Sequence, residues 1–302
     1  MHKINYETLI KEFVKAGICE GDTLLVHSAM SVIGYVEGGA DTVAKALRDA
    51  VGESGTLVAP AFCFRHEAEE NPVIDPKNDK SEMGAISEAV RLLPGAKRSI
   101  AFRHSLSAVG KHAAFITEVN PEISVFDIDS SFGRLLGLDA KVMLLGVTWV
   151  NSTTHHFAEY LLNVKDRHTI LKKVKVRMEN GELKDAVLTD YQPKPNENGE
   201  YYSFPHDFNR AGLMLEKEGK VKISSVGNAV TRVHKMRDLI HLFIDNYSVT
   251  YNMFAQDNIT NKPVTLPDGE TLCKEYYDGC GRLDVAQWSC VNKEETFRNI
   301  KR

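Results

Sequence analysis

The stretch Lys141-Val-Met-Leu-Leu-Gly-Val147 is apolar on both faces of a predicted β-strand, and a helix-forming segment, Thr153–Asn163, follows it. A strand that is apolar on both faces is typical of the buried centre of a sheet that helices cover. A strand that leads into a helix is the repeating unit of α/β proteins. This stretch therefore predicts a layered α/β fold, with Lys141–Val147 as a central strand.

The same alternation of strands and helices extends upstream to the N-terminus. Apolar runs at Thr23–His27 and Gly55–Phe62 predict two further strands. Each predicted helix has one apolar face and a capping or helix-ending residue; these are a helix capped by Asn5, one opened by Asp41, and those at Ser81–Leu93, Ser130–Leu138 and Thr153–Asn163. We expect a layered sandwich in which helices flank a central, mostly parallel or mixed sheet.

The pattern changes after about residue 168. Val174–Met178 and Leu183–Leu188 flank Asn180-Gly181, a dipeptide typical of a β-hairpin turn. Helices are predicted over 207–217 and 231–247, and the chain beyond residue 250 is polar and irregular. We predict one domain over residues 1–245, with a smaller β-hairpin and helical subdomain at about 170–205. Residues 246–302 are predicted to be a C-terminal extension of unknown role.

The composition is that of an ordinary globular protein. The chain has 302 residues, of which 43% are hydrophobic and 26% charged, and this excludes a disordered or collagen-like protein. Its apolar runs are far shorter than the roughly 18 residues of a membrane helix. The net charge of −4 argues against nucleic-acid binding. We therefore expect neither a nucleic acid nor a membrane as a partner, and a cationic small molecule would not be repelled.

Cysteine usage and the N-terminus predict a cytoplasmic location. Five cysteines without a dense framework fit a reducing compartment, and the polar start of the chain predicts no signal peptide. The gaps between Cys273, Cys280 and Cys290 are longer than those within zinc-ligand pairs. Cys63 follows a strand and is more typical of a small buried apolar residue than of a nucleophile. No metal site is predicted.

The helix predicted after the central strand carries His156 and Glu159, which are three residues apart and therefore share one helix face. A carboxylate beside an imidazole fixes its tautomer, so the pair predicts a general base that works near neutral pH. Ligands of open α/β sheets bind beyond the carboxyl ends of strands, where this pair is expected. A pair that only stabilises the helix is the alternative, and the residues leave both open.

A second candidate is the loop that follows the strand at Thr23–His27. It reads His27-Ser-Ala-Met-Ser-Val-Ile-Gly34 and continues through Gly38-Gly39 into a helix. Hydroxyl and backbone N–H groups near a helix N-terminus can bind phosphate oxygens, and glycine permits close approach. An ordinary strand-to-helix turn explains the same residues. A Walker A loop is excluded here, because no Gly-Lys-Ser/Thr follows.

The third candidate, Lys97–Gly110, combines basic side chains with serines that can hold a polyphosphate. A basic surface loop is the alternative. Local signals of other enzyme classes are absent from the chain, because it has neither a Gly-x-Ser-x-Gly elbow nor a Gly-x-Gly-x-x-Gly fingerprint. His155 points about 100° away from His156 on the helix and is expected to be a supporting or surface residue.

Taken together and in this order, these segments resemble the aminoglycoside 3-N-acetyltransferase family, also called the antibiotic N-acetyltransferases. The resemblance covers roughly residues 5–245, and the matching pieces are Val26–Gly34, Gly38–Ala40, Gly55–Pro60, Asp75-Pro76, Met83-Gly84, Arg98-Ser99, His104-Ser105, Ser131–Leu135, Leu144–Gly146, Thr153–Glu159 and Val226–Ala229. Each motif is modest, but their number and order are specific. The resemblance implies the α/β fold of that family.

The resemblance further implies transfer of an acetyl group from acetyl-CoA to a sugar amine, directly in a ternary complex. The His-x-x-Glu pair is catalytic in that family, which makes His156 the base and Glu159 its orienting partner, with Thr153 as a candidate for stabilising the carbonyl oxygen. The implied CoA-binding residues are His27, Ser28, Ala29, Met30, Ser31 and Gly34 in the first loop, and Arg98, Ser99, His104 and Ser105 in the third segment.

Three departures from the family pattern concern the fine geometry of the CoA loops. Ser152 stands where the family commonly has Asn, Ala29 replaces a frequent Ser, and Ala101-Phe102 stand where His-Pro is usual. The acceptor is predicted from charge, because aminoglycosides are polycations and their pocket should offer carboxylates. Glu67, Glu70 and Asp75 are the candidate acceptor-binding residues, with a solvated acidic loop as the alternative.

Two other functions are kept as alternatives. One is a non-catalytic relative that binds CoA, and the other is a metal-dependent hydrolase that uses His104, His155, His156 and Glu159. A homodimer is an open alternative for the assembly.

Overall fold

The computed structural model describes residues 3–164, 167–195 and 208–246. The strands are β1 (Thr23–Ser28), β2 (Thr56–Pro60), β3 (Val73–Ile74), β4 (Lys97–Arg98), β5 (Leu106–Gly110), β6 (Lys141–Leu145), β7 (Arg167–Arg177), β8 (Leu183–Pro193), β9 (Val221–Val226) and β10 (Ala229–Lys235). The helices are α1 (Tyr6–Lys15), α2 (Gly39–Ala50), α3 (Ala85–Arg91), α4 (Ala113–Thr117), α5 (Ser131–Gly137), α6 (Thr154–Leu161), α7 (Phe208–Lys217) and α8 (Met236–Asn246). Among these described helices, none combines the length and the hydropathy needed to cross a membrane.

Seven strands form the central sheet, in the order β4-β5-β2-β1-β6-β10-β9. The three central strands, β2, β1 and β6, are parallel, and the outer strands pair antiparallel to them. The predicted layered α/β fold with a mixed central sheet is confirmed, and Lys141–Leu145 lies in the interior of the sheet as expected. The carboxyl ends of the parallel strands meet the starts of β5 and β10, since Pro60 pairs with Leu106 and Leu145 with Thr231.

Alternate residues of the central strands enter two separate cores. Leu25, Val142 and Leu144 pack against α5, α6, α7 and α8 on one face. Leu24 and Val26 pack with residues of α1, α2 and α3 on the other face. Each fully buried aliphatic side chain contributes about 1.5–3 kcal/mol. The double burial explains the apolar runs Leu24–Val26 in β1 and Val142–Leu145 in β6.

A second, three-stranded sheet has the order β3-β7-β8. Its main feature is the predicted hairpin at Asn180-Gly181, where Gly181 has a φ of 84° that suits glycine. The hairpin is longer than predicted, because β7 and β8 pair over 11 residues each. Val174, Val176 and Leu188 form a small core with Ile74 and Phe102, which attaches this sheet to the rest of the protein.

Two predicted elements are corrected by the structure. The helix predicted over 231–247 is wrong at its start, since residues up to Lys235 belong to β10 and α8 begins at Met236. Arg232 and His234 are both buried, so the polar and apolar alternation of β10 does not mark a solvent-facing strand. Helix α3 begins at Ala85 rather than Ser81, because Gly84 takes a φ of 95° that interrupts helical geometry. The predicted extension at 246–302 and the part of the subdomain beyond residue 195 lie outside the described residues.

Two histidines buried in the central sheet predict a loss of stability in acid. Burial lowers the pKa of His27 to about 3, and burial likewise lowers the pKa of His234 to about 4. Both rings are therefore neutral in the folded protein, while the unfolded chain takes up protons below about pH 6.5. The contribution of the two neutral rings to the free energy of unfolding is therefore fully present above that pH. It should fall by roughly 1.4 kcal/mol per pH unit for each ring as the pH drops towards 4.

Urea denaturation at pH 7 and pH 5 measures this slope. His234→Gln should have a smaller slope than the unmodified protein, whereas His241→Gln, at an exposed position of α8, should leave the slope unchanged. Equal slopes in all three proteins would contradict the prediction.

Candidate functional site

The site lies at the edge of the sheet where β6 ends and α6 begins. Helix α6 brings His156 and Glu159 onto one face, as their spacing predicts, and His156 Nδ1 lies 2.6 Å from Glu159 Oε2. Glu159 is buried and the His156 side chain is 17% exposed. The carboxylate is thus enclosed, while the imidazole retains a solvent-accessible surface, which is the arrangement that an orienting acid and a working base require.

Arg167, at the start of β7, binds the same carboxylate oxygen. Its Nε lies 2.8 Å from Glu159 Oε2, and its side chain is buried and lies over the ring of Tyr191. A buried carboxylate needs a partner of opposite charge, because an unpaired charge in the interior is strongly destabilising. Arg167 therefore supplies the opposite charge for the buried Glu159 and holds it next to His156.

The electrostatic surroundings keep His156 neutral. Burial lowers the pKa of its imidazole well below the usual value, and the positive charges of Arg167 and Arg103 lower it further. Because Nδ1 faces a carboxylate, we assign the proton of the neutral ring to Nδ1, which makes Nε2 the basic nitrogen. A neutral imidazole with an oriented Nε2 is the form that accepts a proton.

Aromatic side chains surround the His156 ring. Phe208 lies edge-on at 5.0 Å between ring centroids, Phe126 at 5.9 Å and His104 at 6.0 Å. His104 also lines a small depression together with Ser99, Ser130 and Ser131. The predicted CoA-side residues Ser99 and His104 thus lie together, and the His104 ring is next to the predicted base.

The loop after β1 lies at the same edge of the sheet. Ser28 and Met30 are half-buried and Ser31 is exposed, whereas His27 is buried within the sheet. Ala29 donates its backbone N–H to Leu145 O at 2.9 Å, which ties the loop to the end of β6. The sequence analysis assigned both His27 and Ser31 to CoA binding. In the structure Ser31 is exposed, whereas the buried His27 is not.

Positive φ angles explain two glycines of this edge. Gly34 has a φ of 105°, and Gly146 has a φ of 69°. A Cβ at Gly146 would lie 2.2 Å from Val32 Cγ2. Gly38, with a φ of 76°, precedes α2 and provides no side-chain cap, and the N–H of Gly39 donates to Val36 O at 3.1 Å.

Arg98 and Ser105 are placed in a buried network. The guanidinium donates to the carbonyl oxygens of Ala61 and Asp79, and its Nε donates to Ser105 Oγ at 3.0 Å. Ser105 Oγ in turn donates to Ala61 O at 2.8 Å. Both side chains therefore brace the segment after β2, and this is the role that the structure shows for them.

The three carboxylates predicted for the acceptor have different surroundings. Glu67 is 42% exposed and pairs with Arg103 at 3.2 Å. Glu70 is exposed. Asp75 accepts hydrogen bonds from Asn78 and pairs with Arg177 at 3.1 Å, so its oxygens are held within a turn. Of the three, the structure links Glu67 to Arg103, whose charge acts on His156.

His155 is not a surface residue. Its ring is fully buried, its Nδ1 donates to Ser152 O at 3.0 Å, and it stacks on Phe208 at 4.4 Å. It therefore supports the helix rather than sharing a site with its neighbour. Within residues 3–164, 167–195 and 208–246, converging metal-ligand atoms are found at Cys63, His66 and Asp79, and not at His104, His155, His156 and Glu159. This geometry does not favour the alternative of a metal-dependent hydrolase.

Two residues of the site were not found from the sequence. Arg167 binds Glu159 from another element, and Asp190, buried in β8, binds Arg103 Nη2 at 2.9 Å. Burial raises the pKa of Asp190 despite the positive charge of Arg103. Asp190 could have been noticed in the sequence, because a carboxylate lies between Leu188 and Tyr191 in a predicted strand region. Nothing in the sequence around Arg167 indicates its role.

Comparison with known proteins adds an independent result. The sequence profile of the family described as aminoglycoside 3-N-acetyltransferase matches residues 25–247. Aminoglycoside N(3)-acetyltransferase VII of Streptomyces paromomycinus is 34% identical over 179 residues, which make up 54% of this chain and 62% of that protein. The alignment thus spans about three fifths of this relative's length.

Two further proteins are similar over more of their length. The SPbeta prophage-derived aminoglycoside N(3')-acetyltransferase-like protein YokD of Bacillus subtilis (strain 168) is 29% identical, and the alignment covers 79% of this chain and 92% of that protein. The crystal structure of the aminoglycoside acetyltransferase AAC(3)-Xa is also similar, with a TM-score of 0.70 and 25% sequence identity. The superposition covers 80% of this chain and 92% of that chain. Since the family profile covers well over half of the sequence and the fold agrees, the chain belongs to the aminoglycoside 3-N-acetyltransferase family.

Proposed function

We propose that this protein transfers an acetyl group from acetyl-CoA to an amine of an aminoglycoside or a related amino sugar. The observation that carries the proposal is the buried Glu159 carboxylate 2.6 Å from His156 Nδ1, with the imidazole itself 17% exposed. Membership of the family supports the same reaction class.

In the proposed reaction, Nε2 of His156 removes a proton from the acceptor nitrogen. An ammonium group is not nucleophilic, so this deprotonation is required before the nitrogen can attack. Glu159 fixes the ring orientation and stabilises the imidazolium that forms. The new nitrogen–carbon bond replaces the carbon–sulfur bond of the thioester, and the CoA sulfur leaves as a thiol after taking up a proton.

Negative charge develops on the thioester oxygen during the attack, and hydrogen-bond donors stabilise it. Thr153 is a candidate donor, because it occupies the position before α6 and its side chain makes no capping hydrogen bond to the helix. Backbone N–H groups near Ser31 are the second candidate. No covalent acyl-enzyme is required, because both substrates can react directly when they are held together.

The residues at the edge of the sheet fit the phosphates of acetyl-CoA. The N-terminus of α2 follows Gly38 without a side-chain cap, and a Cβ at Gly39 would meet no atom within 4 Å. Backbone N–H groups at a helix N-terminus attract phosphate oxygens. We assign this end of α2 and the half-buried Ser28 to the phosphates, and the side of His156 beside His104 to the arm that carries the acetyl group.

We assign the cationic acceptor to the side of Glu67. Glu67 keeps part of its carboxylate exposed, and the buried Asp190 holds Nη2 of the same Arg103 at 2.9 Å. Opposite charges across a binding site favour association with a polycation.

The direct test is the release of free thiol from acetyl-CoA in the presence of a panel of aminoglycosides and other amino sugars. We expect saturable, acceptor-dependent release and a product that is heavier by one acetyl group. Saturable thermal stabilisation by CoA without acetylation of any amine would instead favour a non-catalytic CoA-binding protein.

Arg167→Gln tests the electrostatic part of the mechanism. Removing this positive charge should raise the pKa of His156, because the repulsion disappears and Glu159 is left to stabilise the imidazolium. The base works in its neutral form, so the acidic limb of kcat/KM should move to higher pH. The pH profile of kcat/KM measures this shift.

Arg177→Gln is the matched control, since Arg177 lies on the same strand and pairs with Asp75 rather than Glu159. Its profile should equal that of the unmodified protein. If Arg167→Gln also leaves the acidic limb in place, Arg167 does not control the basicity of His156.

A further inference from the structure

A buried cluster of three different metal-ligand types lies after β2, outside the site described above. The ligand atoms of Cys63, His66 and Asp79 all lie within 4.8 Å of one another. All three side chains are buried, with residue exposures of 4%, 2% and 2%. Burying a carboxylate or an imidazole is costly unless it is paired, and here His66 and Asp79 lie against each other at 2.9 Å.

The donors come in two pairs with the same short spacing. Cys63 and His66 are separated by two residues, and so are Asp79 and Glu82. Gaps of two to four residues within each pair are usual in structural zinc sites. The Cys63 thiol donates to Glu82 Oε1 at 3.7 Å, which places a fourth donor at the cluster.

The surrounding hydrogen bonds orient the ligands. Glu69 Oε2 lies 3.0 Å from His66 Nδ1, on the side of the ring away from the cluster, while His66 Nε2 lies 2.9 Å from Asp79 Oδ2. A carboxylate on the second ring nitrogen is typical of metal-bound histidines, because it fixes the tautomer that leaves the other nitrogen for the metal. The backbone N–H groups of Phe64 and Arg65 hold Glu82.

We propose that Cys63, His66 and Asp79, completed by Glu82, bind a divalent cation of the zinc class. A mixed sulfur, nitrogen and oxygen donor set favours Zn²⁺ over Mg²⁺ and Ca²⁺, which prefer oxygen ligands alone. The cation inserts between His66 Nε2 and Asp79 and replaces their hydrogen bond. The Cys63 thiol loses its proton to solvent on binding.

The charges around the cluster are compatible with this exchange. A thiol binds a metal as the thiolate, so a cation must compete with the Cys63 proton and binding should tighten as the pH rises. Arg65 contacts Asp79 and competes for it. Its side chain is 54% exposed and can turn into solvent when a cation takes its place.

Such a cation would tie two segments together beside the proposed acceptor side. His66 and Glu67 belong to the same short 3-10 turn, Arg65–Ala68, and Glu67 pairs with Arg103. The role is therefore structural, since it holds the segment after β2 against the segment before α3. From the sequence, Cys63 and His66 do not predict this site, because Asp79 and Glu82 come from a different part of the chain.

The experiment uses the full chain after treatment with a chelator, titrated with Co²⁺ and with Zn²⁺. We expect one equivalent of Co²⁺ to produce a thiolate-to-cobalt charge-transfer band, which Zn²⁺ abolishes by displacement. Zn²⁺ should also raise the melting temperature. Cys63→Ser should lose the band and the thermal shift, whereas Cys19→Ser, at an exposed thiol, should keep both.

A second pair of variants tests the Glu69 carboxylate that binds His66 Nδ1 and leaves all proposed metal ligands unchanged. Glu69→Gln should weaken Zn²⁺ binding about 10–100-fold, the usual effect of losing such a partner, while Glu70→Gln should have no effect. Absence of saturable binding by the unmodified protein would overturn the proposal. So would a charge-transfer band that survives in Cys63→Ser, because the cation would then be held elsewhere, for example by Cys273, Cys280 or Cys290.

Discussion

Replacing His156 by alanine is expected to lower kcat/KM for acetyl transfer by about 10²–10⁴-fold, the usual contribution of a positioned general base. The variant removes the nitrogen that takes the acceptor proton but leaves the Glu159–Arg167 pair at 2.8 Å in place. No buried charge loses its charged partner, so the protein should stay folded. The KM for acetyl-CoA should change little, because the loss falls on the chemical step rather than on binding.

Thiol release measured with saturating acetyl-CoA gives this comparison directly. His241→Ala, at an exposed histidine of α8, is the control for the loss of a histidine as such and should keep full activity. Recovery of His156→Ala activity at higher assay pH would agree with the loss of a base, since the acceptor is then present as the free amine without help from His156. Unchanged turnover in His156→Ala would remove the proposed mechanism.

Gly133→Ala is expected to destabilise the protein by about 3 kcal/mol, at the upper end of the usual cost of overpacking. A Cβ at this position of α5 would lie 1.8 Å from the backbone oxygen of Ile128, and a backbone atom cannot turn aside as a side chain can. Helix α5 would have to move away from the preceding loop, which carries Phe126 against the His156 ring. Activity should fall together with stability.

The matched control lies on the same helix. A Cβ at Gly137 would meet no atom within 4 Å, so Gly137→Ala should leave stability within about 1 kcal/mol of the unmodified protein. Thermal melts of the two variants measure the difference, at about 2–4 °C per kcal/mol. Equal melting temperatures would mean that the loop before α5 yields freely and does not fix the position of Phe126.

The proposed base and its orienting acid differ in how they are supported. Glu159 is held from two sides, by His156 and by Arg167, and is buried between them. The His156 ring is held by Glu159 on one side and by aromatic rings on the others. A rigid, water-poor surrounding of this kind lowers the reorganisation needed during proton transfer.

The amino-acid sequence by itself determined the order of the elements near the site and the pairing within α6. The apolar run at Lys141–Val147 identified a central strand, because burial on both faces leaves a local record in the residue types. The spacing of His156 and Glu159 placed them on one helix face, because helical periodicity is also local. The family and the fold that these segments predicted are confirmed.

Only the tertiary structure decided which distant residues complete the site. Arg167 meets Glu159 from the start of β7, His104 reaches His156 from just before β5, and Asp190 reaches Arg103 from β8. None of these contacts follows from periodicity, since each joins side chains of different elements. The helix wrongly predicted over Thr231–Lys235 has the same cause. Neighbouring elements bury Arg232 and His234 in β10. When the polar residues of a strand face the interior, the sequence pattern does not show which face is buried.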